Sequence, residues 1–438
     1  MVGCLSPQSG IDRPHKVNDQ FSGREKTSDT ESSLSWRSNL YVLWFAEFIA
    51  VVAFNVINPI LPLYVRELGV EGEKQARLWA GLVFSAHGIT MIVFAPVWGA
   101  LSDRHGRKLM VERAMFGGGT IVALMTLAQN VQQLALLRAL QGVLTGTVTA
   151  ATALVAASAP REHTGSAMGS LQMAVYLGAS VGPLLGGVVA DMLGFRAAFV
   201  LTSALLFLAG LAVLRFVREP DVVDSFVDSN RIWKTGSGVS LRARVSSLLS
   251  PVLGSASVLG LLGVRLLMRL AVRLPMPTLP LFIEIITPPS TRVATTTGLI
   301  TGFGALAGAV GGQCLGKLSD RVGYRSILIA CTAASALFYF PQTLVDKPVW
   351  LFILQGCAGL AIGGIVTSIS TALATVAPEG REGIVYGVDA SVVSVANAIG
   401  PMTGSLLAAH FGLRTPFLAA AVVFMLAGVT VFRLLPRS

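Results

Sequence analysis

Apolar runs of about twenty residues, the length that crosses a bilayer's hydrocarbon core, alternate with short polar breaks along the chain. This pattern predicts twelve helical segments. Six lie in the first half, at 39–64, 78–100, 110–129, 132–157, 166–190 and 196–217. Six lie in the second, at 252–286, 295–316, 326–344, 349–376, 384–407 and 414–434. The longest polar break runs from Arg218 to Ser250 and divides them six and six. Residues before the first run are rich in Ser, Asp, Arg and Gln, with no apolar stretch like that of a signal peptide. The expected organisation is a disordered cytosolic tail (1–38), a six-helix lobe (39–217), a cytosolic central loop (218–250), a second lobe (251–434) and a short tail (435–438).

Composition agrees with an all-α membrane protein. Of 438 residues, 53% are apolar and only 13% charged, against about a quarter charged in a soluble domain. The net charge of +10 does not point to nucleic acid, because the basic residues gather in alternate connectors. These hold Arg104, His105, Arg107 and Lys108; Arg161 and His163; Arg242 and Arg244; Lys317, Arg321 and Arg325; and Arg381. Basic connectors belong in the cytosol, so both termini are expected inside a plasma (inner) membrane. Cys4, Cys314, Cys331 and Cys357 have no paired spacing, so neither a disulfide nor a metal is expected. There is no GxxxxGK[ST] loop or HExxH, which argues against ATP drive and against an enzyme. The expected partners are a small solute and the bilayer, with no cofactor, no nucleic acid and a monomeric state.

The halves repeat. Residues 55–64 (NVINPILPLY) align with 273–282 (RLPMPTLPLF), 99–108 (GALSDRHGRK) with 316–325 (GKLSDRVGYR), and Gly182-Pro183 with Gly400-Pro401. All three matches are 217 or 218 residues apart. Two such halves around a midplane site form a transporter architecture. The stretch with Gly99, Asp103, Arg104, Gly106, Arg107 and Lys108, echoed by Asp320, Arg321 and Arg325, resembles the loop between helices two and three of the major facilitator superfamily. The resemblance implies that this element latches the inside face, with a weaker second copy because Tyr324 replaces Arg107. Gly178, Gly182, Pro183, Gly186 and Gly187 resemble the helix-five element of the superfamily's drug:proton exporters, while Arg138 and Gln141 resemble its RxxQG element. Gly178, Gly182 and Gly186 share one helix face, which lets a second helix approach closely.

A few ionisable residues fall deep inside the apolar spans, where they are costly and normally face a cavity or a partner. Glu47 in helix one matches, through the resemblance, the proton site of multidrug–proton exporters; His87 and Asp389 are further proton-coupling candidates. Arg265, Arg269 and Arg273 fall on one stripe of helix seven. With Arg138, Gln141, Asn55, Phe54 and Tyr176 they form the expected substrate-binding set, and Glu47 and Arg265 are expected to be partners across the cavity. An arginine stripe suits a carboxylate or phosphate better than a lipophilic cation. The expected function is proton-coupled export of a small amphipathic compound, drug-like or lipid-like, by alternating access. The same residues allow a uniporter or importer of an organic anion, and less readily a non-transporting scaffold or sensor.

Overall fold

The computed structural model describes residues 19–160, 163–217, 256–288, 291–376 and 382–434. The central loop at 218–250, the tail at 435–438, and Arg161 and Arg381 lie outside them. In the first lobe are α1 (Asp19–Ile57), α2 (Leu61–Glu67), α3 (Glu73–His105), α4 (Arg107–Met125), α5 (Val131–Leu144), α6 (Thr147–Ser158), α7 (Thr164–Leu193) and α8 (Phe195–Phe216). In the second are α9 (Ala256–Arg273), α10 (Leu279–Ile286), α11 (Val293–Val322), α12 (Tyr324–Gln342), α13 (Pro348–Val376), α14 (Glu382–Phe411) and α15 (Thr415–Leu434).

All twelve expected segments are present, but the first, fourth and seventh are each two helices. Two breaks follow from proline, which cannot donate the backbone bond a helix interior needs. α1 stops before Pro59 and α2 restarts with Pro62 in its first turn; α9 stops before Pro275 and α10 restarts with Pro280. The third break, between α5 and α6, turns on Gly146 at φ 128°, which a side chain would oppose. α1 also begins at Asp19, inside the tail expected to be disordered through residue 38. Once the first span is helical, adding further turns carries no nucleation cost.

Nine helical stretches among the described residues are long and apolar enough to cross a membrane unaided. Each lobe has its own buried core, one around Leu43, Tyr64, Met115 and Phe199, the other around Met268, Phe282, Phe417 and Phe424. Large apolar side chains such as Leu127, Leu193, Val349 and Phe411 cover the outside, a surface suited to lipid rather than water.

The internal repeat persists in atomic detail. The Tyr64 ring packs on Phe199 with centroids 5.1 Å apart, and their repeat equivalents Phe282 and Phe417 do so at 5.2 Å. Lys108 donates to the Leu214 carbonyl at 3.0 Å, and Arg325 to that of Phe432 at 2.8 Å. Both cations sit at helix C-termini, where exposed carbonyls attract positive charge.

The lobes meet along two seams, α3 with α14 and α7 with α11. Contacts lie toward the end of the bundle opposite the chain termini. There Ser85 accepts from the Met402 amide at 3.1 Å, Ser180 donates to the Gly302 carbonyl at 3.0 Å, and Asp191 accepts from the Thr295 amide at 2.6 Å. Arg77 donates to the Ala408 carbonyl, and Arg66 of α2 pairs with Glu284 of α10. Toward the terminal end, Gly165 and Gly169 of α7 and Gly387 of α14 have open space where a Cβ would sit. Among the described residues, the lobe-to-lobe hydrogen bonds close one end of the bundle, and none joins the lobes at the terminal end.

Candidate functional site

Glu47 is fully buried in the first lobe. Thr147, at the start of α6, donates to its Oε1 at 3.2 Å, while Oε2 is buried without a partner among the described residues. The broken fourth crossing positions this contact. Thr145 closes α5 on the Gln141 carbonyl, Gly146 turns the chain, and Thr147 opens the next helix toward α1. α3 satisfies carbonyls near the break, with Thr90 donating to Ala139 at 2.8 Å and Trp98 to Val143 at 2.6 Å. Irregular backbone at membrane depth is tolerated when neighbouring groups bond it in this way.

The expected Glu47–Arg265 partnership is not formed. Arg265 pairs instead with Asp389 of α14, Nε to Oδ1 at 3.0 Å and Nη2 to Oδ2 at 3.2 Å, both residues over 90% buried. The reason is topological: α9 packs against α14 within its own lobe, and Glu47 finds its hydrogen bond inside the other. One helical turn on, Arg269 has no hydrogen bond among the described residues, and its buried Nε is unsatisfied. Arg273 donates from Nε to Asn397 at 2.7 Å and from Nη1 to the Met276 sulfur at 2.9 Å.

Arg138 is buried and donates from Nη1 to Gln141 at 2.6 Å and from Nε to the Val83 carbonyl at 3.4 Å, with its guanidinium 5.6 Å from the Phe84 ring centre. His87 lies within electrostatic reach of both Arg138 and Arg273. Its Nδ1 is buried and unpartnered among the described residues. Tyr176 of α7 is within electrostatic reach of Arg269. Asn55 is turned into its own helix, donating to the Val51 carbonyl and accepting from Asn58. Phe54 packs beside Gly118 of α4. Among these groups are four arginines and two carboxylates, Glu47 and Asp389, and only Arg265 touches one of them, so positive charge is in excess.

The glycine face of α7 is a packing surface. An added Cβ would meet Val51 from Gly178, the Val52 carbonyl from Gly182 and the Val56 carbonyl from Gly186, at 2.8, 2.6 and 2.0 Å. Gly187 faces the other lobe, 2.2 Å from the Ala294 carbonyl by the same measure, and Pro183 presents its carbonyl to Gly298. At the terminal end, Gly106 (φ 97°) and Gly323 (φ 91°) make equivalent turns. Gly99 has open space around it, and the side chains of Asp103 and Arg104 lie outside the described residues. Arg107 donates to the Ala153 carbonyl within its own lobe, and Asp320 and Arg321 are exposed.

Sequence reasoning passed over Thr147, Asn397, Asp191 and the Arg66–Glu284 pair. Asp191 was visible as an acid near the end of an apolar span. Arg66 and Glu284 are 218 residues apart, the spacing of the repeat, and carry opposite charges.

The Major Facilitator Superfamily profile matches residues 43–286 and again 261–438. The chain is 35% identical over 402 residues to the multidrug resistance protein MdtG of Enterobacter lignolyticus, covering 91% of this chain and 93% of that one. It is 34% identical over 401 residues to the MdtG of Escherichia coli K12, covering 92% and 95%. A bacterial homologue of the human lysosomal transporter Spinster, solved inward-facing and unoccupied, superposes with a TM-score of 0.72 at 14% identity, over 91% of this chain and 96% of its own. The nucleoside transporter NupG gives 0.71 at 11% identity, over 91% and 100%. These likenesses run through both lobes, as do the seams and the buried charges, and the chain belongs to the major facilitator superfamily of membrane transporters.

Proposed function

We propose that this transporter exports small amphipathic compounds carrying an acidic group, in exchange for protons, across a bacterial inner membrane. Glu47 is the proton acceptor and the arginines of α9 set the charge of the cargo. One observation carries the coupling: Glu47 is fully buried yet one carboxyl oxygen has no partner. A buried oxygen in that state is poorly tolerated unless a proton or a mobile water serves it. The excess of guanidinium over carboxylate carries the cargo reading, and relatives named for multidrug resistance support the direction of transport.

With the basic connectors in the cytosol, the closed end faces out and the end without lobe-to-lobe hydrogen bonds faces in. The molecule is then in the state that admits cargo from the cytosol. The motif around Arg107 and Asp320 engages across the lobes in the opposite state; here Arg107 donates to the Ala153 carbonyl of its own lobe. Moving one charge through a 100 mV potential supplies about 2.3 kcal/mol, enough for roughly fifty-fold accumulation.

Proton release from the purified chain, on adding acidic amphipathic compounds in weak buffer, tests the reading. Wild type should release protons, and Glu47→Gln should bind without release. Binding accompanied by no proton release in wild type would favour the uniporter of organic anions that the arginines alone allow.

A further inference from the structure

α9 and α14 run side by side in the same direction, and their contacts form a ladder. Arg265 meets Asp389 and Arg273 meets Asn397, each pair 124 residues apart. Two rungs with one offset, eight residues apart, fix the register between the helices. The middle rung, Arg269, falls opposite position 393, which is valine. A valine offers a guanidinium nothing to bond.

The three rungs therefore differ in what they leave free. The charge of Arg265 is neutralised by the Asp389 carboxylate, with one hydrogen bond from Nη2 to Oδ2 and Nε 3.0 Å from Oδ1 without hydrogen-bond geometry, and Arg273 spends Nε and Nη1 on Asn397 and Met276. Arg138, in the other lobe, spends Nε and Nη1 on Val83 and Gln141. Arg269 uses none of its donors among the described residues, and the charged and titratable groups acting on it are Arg265, Arg273, Asp389 and Tyr176. Tyr176 comes from α7 of the first lobe, so a group held between Arg269 and Tyr176 touches both lobes at once.

We propose that Arg269 docks the acidic group of the cargo, and that Asp389, by masking Arg265, leaves this wall with one free guanidinium, so that the site selects monoanionic carboxylates over dianionic phosphate monoesters. This rests on the export reading above and adds to it the valence of the cargo. A single arginine fork matches a carboxylate in a bidentate pair. A dianion gains most from two forks, and here the second is occupied and its carboxylate stands one turn away, repelling extra negative charge. Arg269 thus acts on cargo directly, while Asp389 is a positioning residue that acts through Arg265.

The test uses the full chain in phosphatidylcholine nanodiscs at pH 8, titrated with naphthalene-1-acetate, 1-naphthyl phosphate and 1-naphthylmethylammonium. Wild type should bind the carboxylate about tenfold or more tighter than either other probe. Arg269→Ala should lose that preference, and Arg269→Lys should recover only part of it, because an ammonium has no fork. Asp389→Asn should shift the carboxylate-to-phosphate ratio toward phosphate by about tenfold. Should that variant fail to fold, Val393→Asp places a carboxylate on the empty rung, and it should weaken carboxylate binding while leaving the Arg265–Asp389 pair in place. Tighter binding of the ammonium probe, no binding of any probe by wild type, or carboxylate binding unchanged in both Arg269→Ala and Val393→Asp would overturn the proposal. Proton release by wild type and its loss in Glu47→Gln, measured on the same samples, report separately on the export reading.

Discussion

The ion pair between Arg66 and Glu284 ties α2 of one lobe to α10 of the other at the closed end. Breaking it should move the molecule toward the outward-open state by an amount that can be bounded. Both side chains are more than a third exposed, at 38% and 39%. Such pairs contribute about 0.2–1 kcal/mol, so Arg66→Ala should raise the ratio of open to closed molecules by roughly 1.4- to 5-fold. Arg66→Glu puts like charges face to face and should push further, to about 2 kcal/mol or thirtyfold at most. The exchange Arg66→Glu with Glu284→Arg should return most of the closed population. It should not return all, since Arg66 also lies 3.9 Å from Glu73. Ser405 reports the state, because it is fully buried beneath Gly81 in the closed seam. In a chain with its four cysteines replaced, Ser405→Cys should label with a membrane-impermeant maleimide only when that seam parts. The labelling rate should rise in the order wild type, Arg66→Ala, Arg66→Glu, and fall back in the exchange. It should also rise with salt in wild type, because exposed pairs are screened. Equal rates in wild type and Arg66→Glu would refute the pair as a lock.

Three further outcomes follow from packing and charge. Gly186→Val should lower the melting temperature sharply, because its Cβ alone would stand 2.0 Å from the Val56 carbonyl, and overpacking costs about 1–3 kcal/mol or more. Gly165→Ala, in open space, should melt as wild type does; equal melting of the two variants would mean the α1–α7 interface has room for a side chain at Gly186. Arg265→Ala should destabilise the second lobe by about 3–5 kcal/mol in denaturant titrations, by stranding Asp389, and Arg265→Ala with Asp389→Ala should recover much of that loss. Finally, Lys108→Ala and Arg325→Ala should each lose about 0.3–1 kcal/mol through the shared carbonyl contact, with Lys108→Ala the costlier because it also breaks the pair with Glu112; a costlier Arg325→Ala in melting experiments would show that the second lobe is braced more strongly by its copy.

The fold was legible because lipid imposes a simple rule, apolar runs of spanning length, and because duplication repeats the signal. Two helix breaks were also legible in principle, as Pro59 and Pro275 stand where the helices stop. The break at Gly146 was not, since an isolated glycine within an apolar run is common in membrane helices. The candidate site was read as residues but not as pairs. Glu47, Arg138, Arg265, Arg269, Arg273 and Asp389 could be named from their cost in lipid, whereas which acid meets which base depends on helix neighbours in space. Equivalence under the repeat suggested Glu47 for Arg265, yet equivalent positions need not touch at midplane depth, and the α9–α14 contact decided the pairing. Asn55 and Phe54 were likewise legible as residues but not in their contacts, Asn55 bonding within its own helix and Phe54 lying beside Gly118.

Arg66 and Glu284 hold the same place in the two halves and yet touch, which puts them on the pseudo-twofold axis relating the lobes. A residue on the axis of a homodimer meets its own copy, so an arginine there would face an arginine. An attractive pair at this point requires the two halves to differ, as they do in this single polypeptide. It also forbids the reverse experiment: two copies of the first lobe joined to each other would bring Arg66 against itself, and would close at the outer end less readily than the natural chain.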